Sequence, residues 1–351
     1  MSFKRILFFI ICSTVASTAF GQYRVMRRGA IQQISPAHLE FYSKYLNSGG
    51  IPIRSAAVVS DTALFIASAK LDMMLKRLQS ARRNLIMHGA ELHIIGKDQQ
   101  TSDLPEFKHS KGVTFVDNNT TTDIDKRTRG LGSLYASCGE ENLLKLPNDR
   151  YQGNDICIHE FAHTLMNFGL DSVIRNKIHI QYKASIGKGL WKGAYAATNE
   201  HEYWAELSTW YFGGLGGPVP GHKHGADPAN WFRLYDADSY NLLHSIYTGQ
   251  SQPALLTKKS RVVAEGTRSG ASPHKSTLFI VNNSTKKLKI SWIDWEGNSV
   301  SYGEVSPYAH FLGQETFYTH IWKIDDGKHP IYIKVLDPIS VFKIDGNTKT
   351  N

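Results

Sequence analysis

The chain has 351 residues, 41% of them hydrophobic and 20% charged, with a formal net charge of +9 at neutral pH. That balance suits one large or two ordinary soluble domains. The excess charge is spread over residues 24–28, 77–83 and 286–289 without a dense basic run, so it reads as solvated surface and no nucleic-acid partner is expected.

Residues 1–21, MSFKRILFFIICSTVASTAFG, join a basic start at Lys4 and Arg5 to an apolar run ending near Phe20, with Ala19 and Gly21 spaced for cleavage. This is the pattern of an export signal. The run is too short for a comfortable membrane span, and Cys12 lacks the small residue before it that lipoprotein processing needs. The mature chain is expected to be secreted, extracellular or periplasmic, with its charge reduced by two to +7. No later stretch is apolar enough to cross a bilayer, and nothing in the sequence specifies an oligomer. Only Cys138 and Cys157 remain after cleavage. In an oxidising compartment the pair reads as a candidate disulfide, the alternative being two buried thiols.

Ser35-Pro36 is predicted to cap a short amphipathic helix, PAHLEFYSKYLN, and a long helical pattern runs from Asp61 to Gly89. ELHIIG (91–96) and GVTFVD (112–117) read as strands. The polar, glycine-rich stretch between Asn118 and Tyr151 reads as ordered loop, which at that length is usually functional.

NDICIHEFAHTLMNFG (154–169) has helical spacing, with Asn154 or Asp155 as cap and Gly169 as stop. On such a helix His159 and His163 share one face a turn apart and can aim nitrogens at one zinc ion, while Glu160 leans over a neighbouring water. By residue frequencies H-E-x-x-H arises by chance in roughly a few per cent of chains this long, so the motif needs corroboration. Two ordinary helical histidines are the competing explanation.

A catalytic zinc needs a third protein ligand and an open position. Positions 166 and 169, where a longer H-E-x-x-H-x-x-G-x-x-H motif would continue, hold Met and Gly. The ligand is therefore sought on a second predicted helix, Asn199 to Phe212, among Glu200, His201, Glu202 and Glu206. Glu202 is the favoured ligand, with Glu206 one turn on to accept a hydrogen bond from a ligand histidine. A capping box from Asn199 to Glu202 and a solvated acidic face compete, but Tyr203, Trp204, Leu207 and Trp210 mark the helix as largely buried. Tyr195, seven residues before Glu202, lies on the same face two turns away or on the loop entering the site; its phenol could stabilise an oxyanion.

HEFAH followed by Y-A-A-T-N-E-H-E-Y-W-A-E resembles the anthrax lethal factor-like metalloproteases, zincins with a glutamate as third ligand. Arg129–Gly132 (RGLG) and Glu140–Leu144 (EENLL) also look like secreted relatives of that group. The resemblance implies an α+β zincin-type domain, mainly helical around its site. Zn2+ would be held by His159, His163 and Glu202, with Glu160 as base, Tyr195 assisting the transition state and Glu206 supporting a ligand.

Residues 253–274 read as a linker, and short β-type runs separated by turns such as EGN and DDGK follow from 275. F-I-V-N-N-S, W-I-D-W-E-G and T-H-I-W-K-I resemble the β domain of the von Hippel-Lindau tumour suppressor, a small sandwich that recognises hydroxyproline in a peptide. The matching positions are Trp292, Tyr302, Thr316, His320 and Trp322; Thr316 replaces a serine of that family, and one residue is inserted between Tyr302 and His320 relative to it. Alternating aromatics on strands also serve as sandwich core. The expected organisation is a metalloprotease domain over 22–252, the linker, and a peptide-binding all-β sandwich over 275–351. The function expected is a secreted zinc endopeptidase whose protein substrates are held as proline- or hydroxyproline-rich peptides. A non-catalytic peptide- or matrix-binding protein with a structural zinc, and a zinc amidase acting on cell-wall peptides, are the alternatives.

Overall fold

The computed structural model describes residues 29–345 apart from 118, 119, 224 and 226; the expected export signal lies outside the described residues. The described chain is α+β, with several sheets.

The region expected as an amphipathic helix forms two strands instead, β1 (Gln32–His38) and β2 (Tyr42–Ser48), followed by β3 (Ile51–Ser55). The cause is the turn at Gly49 and Gly50, whose φ values of 59° and 95° suit glycine and fold β2 straight back onto β3. Tyr42, Leu46 and Ser48 of β2 are buried.

Helices α1 (Asp61–Leu75) and α2 (Gln79–His88) replace the single long helix and carry the chain across to β4 (Glu91–Ile95), parallel to β3. A separate hairpin, β5 (Thr114–Asp117) with β6 (Thr120–Asp123), leads into α3 (Ile124–Arg127). Then come β7 (Gly130–Leu131), β8 (Tyr135–Gly139) and α4 (Glu140–Leu144), so much of the expected loop is regular structure. Every residue of β8, YASCG, is buried. A strand covered on both faces need not alternate, which hides it in the sequence. The main sheet runs β1-β2-β3-β4-β8-β7, with β3, β4 and β8 parallel and β7 antiparallel at the edge.

Five helices complete this part: α5 (Ile156–Thr164), α6 (Ser172–Gly187), α7 (Glu200–Tyr211), α8 (Pro228–Tyr235) and α9 (Ala237–Tyr247).

Beyond them lie β9 (Arg261–Val263), β10 (Lys275–Asn283), β11 (Leu288–Ile293), β12 (Ser299–Val305), β13 (His310–Phe317), β14 (Ile321–Asp325), β15 (Ile331–Lys334) and β16 (Ile339–Asp345). They form two sheets, β13-β10-β16 and β12-β11-β14-β15-β9. Leu278 and Ile280 of the first share an apolar layer with Ile290, Trp322, Ile324 and Ile333 of the second. β9 falls within residues 253–274, and the chain before it is tied down: Asn84 bonds Ala254 O at 3.0 Å and Leu256 N at 2.9 Å.

The C-terminal sheets are packed against the rest of the chain. Val281, Ile339 and Val341 belong to the main core, and Phe279 meets Phe168 edge to face at 4.8 Å. Nearby, buried Glu91 pairs with Arg54 at 2.5 Å and Lys343 at 3.3 Å, while buried Glu106 faces His93 Nδ1 at 2.6 Å. Pairing of this kind offsets the cost of burying the charges.

Because the two parts share a core, Phe279→Ala and Val281→Ala should each remove about 2 kcal/mol of stability and lower one common melting transition. Calorimetry with near-UV circular dichroism checks this. A separate second transition that alone responds to the substitutions would count against it.

Candidate metal centre and peptide pocket

The start of α5 is fixed from several directions. Asp155 caps it by accepting from Ile158 N at 3.1 Å, and its second carboxylate oxygen pairs with Lys70. The Asn142 amide donates to Asn154 O at 2.7 Å and accepts from Ile156 N at 3.0 Å. Asn199 caps α7 through His201 N and Glu202 N, at 2.9 and 3.0 Å. The Trp204 indole donates to Ala162 O at 2.9 Å, pinning α7 to α5 beside the histidines.

This crossing brings three atoms together. His159 Nε2 and His163 Nε2 are 3.2 Å apart, and Glu202 Oε2 stands 3.2 and 3.3 Å from them. A tetrahedral zinc with bonds of about 2.0–2.1 Å separates its ligand atoms by about 3.3 Å, so this triangle fits the ion. Glu160 also offers an oxygen within 4.8 Å of the imidazole nitrogens, but Glu202 is the carboxylate in contact with both. Glu206 Oε1 lies 3.1 Å from His159 Nδ1, and its other oxygen accepts from Gly217 N, which orients the imidazole. Of the four acidic and imidazole candidates on this helix, Glu202 and Glu206 reach the centre, whereas Glu200 pairs with His179.

Burial works against charge on His159, yet its bonds to Glu202 and Glu206 carry its pKa well above the usual imidazole value. Burial likewise opposes ionisation of Glu202, and the two imidazoles hold it far below the carboxylate range. Burial raises the Glu160 carboxyl, against the pull of His159 and His163. A base lifted in this way is better matched to neutral pH.

Tyr195 sits in a short 3-10 turn, Tyr195–Ala197, just ahead of α7. Its ring stacks on His159 at 6.3 Å, and its hydroxyl contacts Glu202 and the Arg127 guanidinium. Burial and then Glu202 push its pKa up to about 12, so the phenol stays protonated. A cleft of about 260 Å³ opens here, lined by His159, Glu160, Tyr195, Arg127, Thr209 and Leu215.

The edge strand β7 lies directly on α5. A Cβ on Gly132 would stand 2.4 Å from His163 Cβ, and one on Gly130 2.6 Å from Ile156 Cγ2 and 3.0 Å from Glu160 Cγ. Only glycine permits this approach. Sequence reasoning missed Arg127 and the Gly217 amide; residues 213–218, GGLGGP, can be read from sequence as a helix stop, but not as a segment that folds back onto Glu206.

The candidate disulfide is not formed. Cys138 on β8 and Cys157 on α5 are buried free thiols in hydrogen-bond contact. Burial raises the Cys138 thiol well above its usual value, which suppresses the thiolate that disulfide formation requires.

In the C-terminal sheets all five expected pocket residues meet. Trp292 and Trp322 are cross-strand partners on β11 and β14, and Tyr302 packs edge-on against Trp322 at 4.7 Å. Thr316 Oγ1 accepts from Trp322 Nε1 at 3.0 Å and lies 3.1 Å from His320 Nδ1, while the His320 ring is 5.2 Å from Trp292. Burial lowers the His320 pKa, keeping it neutral. Trp295, which the sequence reading passed over, is 55% exposed and adds a wall 4.9 Å from Trp292.

No family model and no curated protein matches this chain. Among solved structures it is similar to the PRO-PRO endopeptidase (PPEP-2) from Paenibacillus alvei, with 15% identity, a TM-score of 0.39, and 55% of this chain and 96% of that chain covered. A likeness this distant transfers no activity, so the site itself must carry the functional conclusion.

Full-length protein should bind one zinc per chain, losing it in Glu202→Ala and holding it about 10–100-fold more weakly in Glu206→Ala. Because His159 carries a proton in the metal-free state and must lose it to bind zinc, affinity should strengthen as pH rises from about 6 to 8. Elemental analysis and chelator competition read both effects. Zinc retained by Glu202→Ala would remove that residue from the ligand set.

Proposed function

We propose that the chain is an exported zinc-dependent endopeptidase of the zincin type, with a C-terminal module that binds proline- or hydroxyproline-rich segments of its protein substrates. The observation that carries this reading is the 3.2–3.3 Å triangle of His159, His163 and Glu202 with Glu160 beside it and a cleft open on the same side. A structural zinc site is normally closed by four protein ligands, whereas three ligands, a neighbouring carboxylate and an open cleft fit catalysis.

His159, His163 and Glu202 would hold the ion, which when bound lowers the pKa of water and polarises a carbonyl. Glu160 takes the proton of the attacking water and returns it to the leaving amine. The protonated Tyr195 hydroxyl donates to the developing oxyanion. Glu206 keeps the His159 ring in its tautomer and orientation. The Thr316 hydroxyl and His320 imidazole, framed by Trp292, Tyr302 and Trp322, offer the polar and aromatic contacts that a hydroxylated proline ring needs.

Against a quenched-fluorescence peptide library, Glu160→Gln should keep its zinc and lose about 10²–10⁴-fold in kcat, and Tyr195→Phe about 10²–10³-fold with KM little changed. Zinc-loaded wild type that cleaves no member would end the peptidase reading.

A hydroxyproline peptide should bind the full chain at least about fivefold more tightly than its proline counterpart, and Thr316→Val should abolish the difference. Titration calorimetry measures it. Equal affinity for the two peptides in the wild type would exclude hydroxyproline recognition.

A further inference from the structure

A second crevice, of about 440 Å³, lies on the other flank of the metal centre, between the metal helix and the C-terminal sheets. Its near wall is the chain leaving β7, Gly132 to Leu134, with Asn167 and Phe168; its far wall is Thr277, Phe279, Gly313, Glu315 and Ile339. Gly132 is the residue that packs against His163, so the crevice begins where the metal ligand ends. His201 lines it too and lies within electrostatic range of both His163 and Arg175.

Arg175, on the first turn of α6, projects a cation into this space. Among the described residues its guanidinium has no hydrogen-bond or ion-pair partner. The acids that it feels are engaged elsewhere: Asp171 accepts from Ile174 N at 2.9 Å and Ala254 N at 2.6 Å, and Glu200 pairs with His179. Glu315 on the opposite wall is exposed to solvent and is not among the groups that act on Arg175. Burial lowers the Arg175 pKa, the mark of a partly desolvated cation without a bonded counterion. A guanidinium is built for bidentate capture of a planar anion.

We propose that this crevice is a subsite for a peptide carboxylate, read by Arg175, which makes the enzyme selective for substrates carrying an anionic group at one fixed register from the metal. The proposal rests on the peptide-cleaving reading of the metal centre. The carboxylate is either an internal acidic side chain or the end of the peptide chain.

The probes are fluorescein-labelled decapeptides of proline and alanine with a single Glu, Gln or Lys walked along the chain, each made with a free or an amidated C-terminus. Fluorescence anisotropy reads their binding to full-length, zinc-loaded Glu160→Gln protein, in which bound peptide stays intact. One register of Glu should bind about tenfold more tightly than Gln or Lys, or the free acid more tightly than the amide, which identifies the source. That preference should vanish on adding Arg175→Gln and persist in part with Arg175→Lys. Equal binding of Glu, Gln and Lys peptides, no binding at all, or a preference that survives Arg175→Gln would overturn the proposal. Arg175-dependent binding without hydrolysis by the wild-type protein would leave the subsite standing and end the peptidase reading; hydrolysis without the preference would do the reverse.

Discussion

The site depends on one constraint: a glutamate oxygen on α7 must meet two imidazole nitrogens on α5 within 3.3 Å of each. Such closeness in a largely buried place is costly unless charge is neutralised, and without an ion the cluster keeps a proton on His159 to balance Glu202. The helices are held at that separation by contacts outside the triangle. Trp204 bonds the backbone between the two histidines, Glu206 bridges His159 to the Gly217 amide, and the Lys70–Asp155 pair anchors the start of α5. Each fixes a backbone or a ring before any ligand arrives, so the ordering cost of assembling the site is met in folding and not in binding.

The same need for close approach shapes the sheet. Placing β7 at the edge, antiparallel to β8, lays Gly130 of the strand and Gly132 just after it on α5. A side chain at position 132 would push against His163 itself. The tolerance for change is therefore lowest at residues with no functional group, which is why composition says nothing of their importance.

What could be read in the sequence follows from how local each signal is. The i, i+4 spacing of His159 and His163 and the acidic pair of α7 are local, and the structure assembles them as the spacing implies. In the C-terminal sheets cross-strand pairing puts Trp292 and Trp322 together, a relation that alternation makes legible, whereas Thr316 on β13 and His320 in the turn before β14 join them from outside that sheet. The hairpin at β1 and β2 was hidden by apolar spacing that suits a helix equally well, and its turn at Leu39-Glu40 carries no glycine although both residues take positive φ; the Gly49-Gly50 turn marks only the step from β2 to β3. Strand β8 was hidden by being covered on both faces. Arg127 and Arg175 reach the site across distances that no sequence window spans, so neither stood out among the 40 basic residues of the chain.

The close packing of the C-terminal sheets changes how a binding module could help catalysis. A module on a flexible tether raises the local concentration of any captured peptide within reach of the linker. Here Ala254 and Leu256 are hydrogen-bonded to Asn84 in the body of the protein, Lys259 is bonded to Asp337 beside β16, and Phe279 and Val281 share the body's core, so the orientation of the C-terminal sheets is fixed. A rigid arrangement gains only with peptides whose length and shape span the two positions, and gains nothing with others. An extended proline-rich segment, if it is the substrate proposed above, would lose little entropy when held at both ends because its backbone is stiff. On the proposed reading, rigid docking would make the second binding site a ruler for the substrate and not a general aid to affinity.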